Sequence, residues 1–224
     1  MRILICEDSV LLREGLVRLL EHSGHEVVAA LADAHALAET VAEQNPELCI
    51  LDVRLPPSFT DEGIRGALEL RRMHPSLPIL VLSQYVEEQY ASELIGTGGG
   101  SSTGGIGYLL KDRVADVSDF VDALERVGKG GTVLDPEVVS QLLTRRRQDE
   151  RMQRLSDRER TVLASIAEGL SNHAIAQQLF LSLATVEKHI TSIFQKLELE
   201  QDESGNRRVL AALAHLENNG GSAQ

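Results

Sequence analysis

Short apolar runs alternate with longer stretches of helical periodicity through the first half of the chain. The apolar runs predict strands near 2–6, 26–31, 48–52, 78–82 and 106–110. Between them the pattern predicts helices near 10–22, 34–44, 62–73 and 87–95, with another near 115–127. Leu12, Leu16, Leu19 and Leu20 recur at the helical period, whereas Arg2-Ile-Leu-Ile-Cys6 and Leu48-Cys-Ile-Leu51 have the length of strands buried on both faces. Strand–helix alternation of this kind implies βαβ units and a doubly wound parallel sheet. Five strands and five helices predict a flavodoxin-like α/β domain.

The texture changes after Gly128. Gly128-Lys-Gly-Gly131 breaks the pattern, and Asp135-Pro136 can open a helix with proline in its first turn. That helix is expected to reach Arg145-Arg-Arg147, followed by a solvated linker. Beyond it every signal is helical. Ser156-Asp-Arg-Glu159 is a capping box that starts a helix closed by Gly169. Ser171 can cap a short helix over Asn172–Leu179, Ser182 a third to about Leu197, and a fourth is expected near Asn206–Leu216. Two short helices with a tight connection, the second amphipathic, describe a helix-turn-helix. The expected organisation is an α/β domain over 1–128, a linker with a helix over 129–152, an all-α four-helix domain over 153–218, and a disordered tail over 219–224.

Charge separates the two parts. Residues 1–144 carry 11 basic and 23 acidic side chains, while residues 145–224 carry 11 of each. The surplus of acid makes the first part a poor nucleic-acid binder, and any such binding by the second must come from local placement of charge. No apolar run approaches membrane-spanning length, and the start lacks a signal-peptide pattern, so a cytoplasmic protein without membrane association is expected. Cys6 and Cys49 both fall in expected strands and read as reduced core residues.

Acidic residues stand where two of the buried strands end: Glu7-Asp8 after the first and Asp52 after the third. In an open parallel sheet, function collects beyond the carboxyl ends of the strands. Carboxylates crowded there repel one another and need a cation, and hard oxygen ligands suit Mg²⁺, which also favours a phosphate oxygen.

Glu7-Asp8, Asp52, Pro56, Ser83, Tyr108 and Lys111 resemble the receiver domain of two-component response regulators. Leu155-Ser-Asp-Arg-Glu-Arg160, Glu168-Gly-Leu-Ser-Asn172, Ile175-Ala176, Thr185-Val-Glu-Lys-His189 and Ile193-Phe-Gln-Lys-Leu197 resemble the LuxR-type DNA-binding domain. Their order and spacing together are similar to the NarL/FixJ class over nearly the whole chain. The resemblance implies that Asp52 accepts a phosphoryl group from a sensor histidine kinase. It implies that Glu7, Asp8, Asp52 and the backbone carbonyl of Arg54 hold Mg²⁺, that Lys111 pairs with Asp52, and that Ser83 offers its hydroxyl to the phosphoryl group. By the same analogy Tyr108 swings inward as Ser83 moves. The chain departs from the usual pattern in three places. Ser83 and Lys111 stand 28 positions apart because of the stretch Gly96-Thr-Gly-Gly-Gly-Ser-Ser-Thr-Gly-Gly105, expected to be a mobile loop. The loop after Asp52 is enlarged around Pro56-Pro57, and Gln84 replaces a small residue.

In the helical part, Val186, Ile190, Ile193, Phe194 and Leu197 share one face, expected to pack on Leu163, Ile175 and Leu179. Thr185, Lys188 and Ser192 are expected to point outward, flanked by His189, Thr191 and Lys196, as a surface for the major groove of double-stranded DNA. Glu187 could accept from cytosine, while Ser182, His189 and Lys196 suit phosphate contacts. Val209, Leu210, Leu213 and Leu216 form an apolar stripe for core packing, a dimer contact, or both, and a homodimer is expected on DNA.

The expected function is transcriptional regulation controlled by phosphorylation of Asp52. A second reading keeps the DNA-binding domain but makes the receiver a ligand- or partner-gated interaction module. An enzyme is not expected: a haloacid-dehalogenase-type phosphatase needs an acid two residues after its nucleophile, where this chain has Arg54.

Overall fold

A computed structural model describes residues 1–87, 91, 94, 104–199 and 206–220, with side chains through 216. The chain forms two compact units, Met1–Leu142 and Leu143–Gln224.

The first unit is an all-parallel sheet of β1 (Arg2–Cys6), β2 (Glu26–Leu31), β3 (Leu48–Asp52), β4 (Ile79–Ser83), β5 (Ile106–Leu110) and β6 (Thr132–Leu134), in the order β2-β1-β3-β4-β5-β6. Residues of β3 and β4 are buried throughout, as befits central strands covered on both faces. Helices α1 (Val10–His22) and α4 (Val117–Gly128) bring Leu16, Leu20, Phe120 and Leu124 onto one face. Helices α2 (Leu37–Gln44) and α3 (Glu62–Met73) bring Val41, Ile64, Ala67 and Leu70 onto the other. The expected helix near 87–95 lies outside the described residues except for Glu87, which is not helical, and Ala91 and Leu94, which are helical and buried in that second face. Most of the glycine-rich stretch also lies outside them.

The sheet has six strands where five were expected. Thr132-Val-Leu134 is too short to stand out as a periodic run. It pairs with β5 through Ile106–Thr132, Gly107–Val133 and Tyr108–Leu134, covering what would be an open edge. A turn with Gly130 at φ +88° delivers it. The start of α2 is also later than expected: Asp33 Oδ1 accepts the His35 amide at 2.9 Å, a local turn that competes with helix.

Arg71 on α3 is buried, and no carboxylate meets it among the described residues. Its guanidinium donates to the carbonyls of Pro75, Leu77, Gly104 and Gly105 at 3.0 to 3.1 Å, fixing the entry to β5. The four carbonyls meet Nη1 and Nη2, while the buried Nε has no hydrogen-bond partner among the described residues.

Helix α5 (Pro136–Gln153) does not stop at Arg147 as expected, and the anticipated linker is largely helical. The stretch is rich in helix-forming Arg, Gln and Glu, and Arg146 pairs with Glu150 one turn on at 3.2 Å. The second unit continues with α6 (Asp157–Ala167), α7 (Asn172–Gln178), α8 (Leu183–Lys196) and α9 (Arg207–Gly220). Ser156, Ser171 and Ser182 each accept an amide from the first turn of the helix they precede, and Ser156 with Glu159 completes the capping box. Val162, Leu163, Ile175, Val186, Ile190, Ile193 and Leu197 make the core. Among the described side chains of α9 only Ala211 is buried, while Val209, Leu210, Leu213 and Leu216 are exposed. The stripe is therefore not core. Residues 221–224 lie outside the described residues, and α9 runs through Gly220 into the expected tail. No described helix is long and apolar enough to cross a membrane.

Candidate functional site

Strand order reverses between β1 and β3, and both strands end at that point in acidic residues. Register pairs Cys6 with Leu51, so Glu7 and Asp52 emerge side by side. Arg13, one turn into α1, donates to the carbonyls of Glu7 and Asp8 at 2.6 and 3.2 Å and fixes the loop that carries them. Gly63 lets the loop after β3 fold back, since a Cβ there would lie 1.6 Å from the Asp52 carbonyl oxygen. Lys111, just beyond β5, places Nζ 2.9 Å from Asp52 Oδ2 and 2.9 Å from Glu7 Oε1.

Glu7, Asp8 and Asp52 each offer a carboxylate oxygen within 4.8 Å of the others. Glu7 and Asp52 are buried, and burial pushes both carboxyls above their ordinary range despite the hydrogen bonds from Lys111. Burial works against the charge of Lys111 too, but its bonds to Asp52 and Glu7 outweigh that and hold the ammonium above its usual range. Glu7 Oε2 is buried and forms an ion pair with Nζ at 2.9 Å, with no further hydrogen-bond donor upon it among the described residues. Three carboxylates against one lysine, with a spare buried oxygen, fit a hard divalent cation.

On α8 the side chains of Glu187, Lys188 and Thr191 are exposed, as is Ser182 at the N-cap, while Thr185 and His189 are half-buried. Ser182 Oγ and Thr185 Oγ1 share a hydrogen bond at 2.8 Å. Ser192 and Lys196 turn the other way. Ser192 donates to Glu159 Oε1 at 2.7 Å and Lys196 to Glu159 Oε2 at 2.6 Å. Burial would raise the Glu159 carboxyl, but the bonds from Lys196, Ser192 and Ser156 prevail and hold it at about 2. Ser192 was expected to point outward. It is drawn inward because α6 presents a buried carboxylate that needs donors.

Comparison with known proteins fits both halves. Residues 3–125 match the response regulator receiver domain, and residues 153–205 match the bacterial regulatory proteins of the luxR family. The chain is a response regulator of the NarL/FixJ class. It is 30% identical over 209 residues to the transcriptional regulatory protein LnrK of Bacillus subtilis, covering 88% of this chain and 90% of that protein. It is 31% identical over 210 residues to the oxygen regulatory protein NreC of Staphylococcus carnosus, covering 89% and 92%. Its fold is similar to that in the RcsB–DNA complex, with a TM-score of 0.56 and 28% identity over 97% of this chain and 98% of that one.

In this response regulator the expected switch residues Ser83 and Tyr108 meet at the Tyr85 carbonyl. Ser83 Oγ donates to the Tyr85 carbonyl at 2.6 Å. Tyr108 is fully buried, and its hydroxyl accepts the Glu87 amide at 3.2 Å and donates to the Tyr85 carbonyl at 3.5 Å. Gln84 is exposed. The Arg54 amide donates to Asp52 Oδ1 at 3.4 Å, while its side chain reaches Glu87 Oε1 at 2.6 Å and lies over the Tyr85 ring. Glu87 therefore joins the loops after β3 and β4. Residue spacing gave no sign of it. The one available signal was an acid close behind the departure at Gln84.

Proposed function

We propose that this protein is a phosphorylation-controlled, DNA-binding transcriptional regulator that takes its phosphoryl group on Asp52 from a sensor histidine kinase. The observation that carries this reading is Lys111 Nζ at 2.9 Å from both Asp52 and Glu7, in a pocket where carboxylates outnumber ammonium three to one. A carboxylate oxygen of Asp52 attacks phosphorus as the bond from phosphorus to the donor's imidazole nitrogen breaks, and the electron pair leaves with the imidazole. The product is an acyl phosphate. Lys111 then exchanges its bond to Asp52 Oδ2 for one to a phosphoryl oxygen. Ser83 can offer its hydroxyl to another once it leaves the Tyr85 carbonyl, and Tyr108 and Glu87, tied to the same loop, respond to that shift. Glu7, Asp8 and Asp52 would hold Mg²⁺, which when bound neutralises charge on the phosphoryl oxygens. The backbone carbonyl of Arg54 is a further ligand in this reading. The chain turns over no separate substrate.

The output surface is the exposed face of α8. Lys188 and Glu187 read bases, Thr185 and Thr191 stand beside them, and Ser182 and His189 position the phosphate backbone. Ser192 and Lys196 act behind that face through Glu159. The exposed stripe of α9 supports a homodimer on DNA, and the protein works in the cytoplasm beside the chromosome. The test is DNA binding by the intact protein with and without Mg²⁺ and a small acyl-phosphate donor. Tightening that requires both, and that vanishes in Asp52→Asn, is expected. Equal affinity in all conditions, with Asp52 labelled, would favour the phosphorylation-independent reading.

A further inference from the structure

Asp135 stands at the start of α5 and is completely buried. Its carboxylate accepts three hydrogen bonds from two residues. Oδ2 accepts Arg113 Nε at 2.8 Å, and Oδ1 accepts Arg113 Nη2 at 3.3 Å and the Glu137 amide at 3.0 Å. Its main chain is tied as well. The Asp135 amide donates to the Tyr108 carbonyl at 2.8 Å, and its carbonyl accepts the Val139 amide at 3.0 Å. Arg113 lies two residues after Lys111, within the 3₁₀ turn Lys111–Ala115. One residue therefore binds, by its side chain, the turn that follows the pocket lysine and the first turn of the helix that runs to Gln153, and, by its amide, the strand that carries Tyr108. That helix crosses the boundary between the two units, at Leu142 and Leu143.

We propose that the Arg113–Asp135 ion pair is the joint through which the state of the Asp52 pocket reaches α5 and hence the DNA-binding unit. The proposal rests on the phosphorylation reading above. When Lys111 turns from Asp52 to a phosphoryl oxygen, the 3₁₀ turn behind it moves, and the bidentate pair transmits that movement to the helix start. A planar guanidinium held at two points resists rotation in a way that a single hydrogen bond does not. Burial alone would raise the Asp135 carboxyl, yet the bonds from Arg113 and the Glu137 amide hold it below its usual range, so the pair persists at neutral pH. Arg113 is about half exposed, which leaves it free to follow the turn.

The experiment compares DNA affinity before and after labelling of Asp52 in the full chain, using a small acyl-phosphate donor and Mg²⁺. The variants are Arg113→Gln and Asp135→Asn. Asparagine keeps a capping oxygen for the Glu137 amide while removing the charge that Arg113 needs. In the unaltered protein, labelling is expected to tighten DNA binding by about tenfold, an ordinary coupling. In both variants Asp52 labels to the same extent and unlabelled affinity is unchanged, but the gain falls to about twofold or less. Arg113→Lys restores part of it. A role confined to stability would lower the melting temperature and leave that gain intact. If both variants keep the full gain, the joint lies elsewhere and the proposal fails. Should Asp135→Asn not fold, Arg113→Gln decides alone, because its side chain is half in solvent. If the unaltered protein labels on Asp52 and shows no gain, the phosphorylation reading itself fails and takes the joint with it.

Discussion

Among the described residues, two lysines bond buried carboxylates, one in each unit, and the two nodes are built to opposite ends. Lys111 lies between Glu7 and Asp52, with Asp8 beside them, and burial leaves both bonded carboxyls above their ordinary range. Lys196 serves Glu159 alone, which also receives the Ser192 hydroxyl and the Ser156 amide, and whose carboxyl is held at about 2. The first node carries more negative charge than its one lysine balances. The second is complete as it stands. Similar residue types thus make a reactive pocket in one place and a structural fastening in the other. The ratio of carboxylates to donors is what differs.

Loss of the cation should separate the nodes most strongly. Lys111→Met leaves buried carboxylates without their lysine, and breaking such a pair costs about 3–5 kcal/mol. Urea unfolding should show that deficit, and added Mg²⁺ should shrink it. The same addition should leave Lys196→Met unchanged. Removing one negative charge should give opposite signs. Asp52→Asn relieves crowding and is expected to leave stability unchanged or raised, whereas Glu159→Gln should cost about 2–3 kcal/mol, seen in the same unfolding curves.

Acid should also divide the two units. Glu159 has a folded value of about 2 against an ordinary 4.5, so its contribution is complete above about pH 4.5 and is lost as pH falls toward 2. That contribution is of order 3 kcal/mol for a shift of this size. Glu7 and Asp52 are shifted the other way. The folded pocket binds protons more readily than the unfolded chain, so acidification from neutral favours it. Hydrogen exchange across this range should show α6 and α8 loosening while β1 and β3 hold. Protection that fades in both units together would remove the distinction. Ser192→Ala should have the smallest effect, about 1 kcal/mol in the helical unit, with DNA affinity following stability and not an altered sequence preference.

The parts of this account that were legible in the sequence share a physical cause. A strand buried on both faces must be a continuous apolar run, so β1, β3, β4 and β5 announced themselves, and the acids that end β1 and β3 stood out against them; the edge strand β2, none of whose residues is fully buried, was legible from the apolar run Val27-Val-Ala-Ala-Leu31 alone. Serine caps were legible because a helix start needs a side-chain acceptor close by in sequence. What stayed hidden depends on partners distant in the chain. The three residues of β6 signify only once β5 is beside them. Arg113 and Asp135 meet only through that strand pairing. Ser192 sits on the polar side of α8 by periodicity, and nothing local reveals that Glu159 will claim it. Arg71 gave no hint that four carbonyls would replace a counter-ion.

The decisive measurement is the position of the label after exposure of the intact protein to Mg²⁺ and an acyl-phosphate donor. An unsatisfied carboxylate node predicts a single phosphoryl group per chain, on Asp52, absent without Mg²⁺ and absent in Asp52→Asn. A label on another residue, or one that survives that substitution, would contradict it.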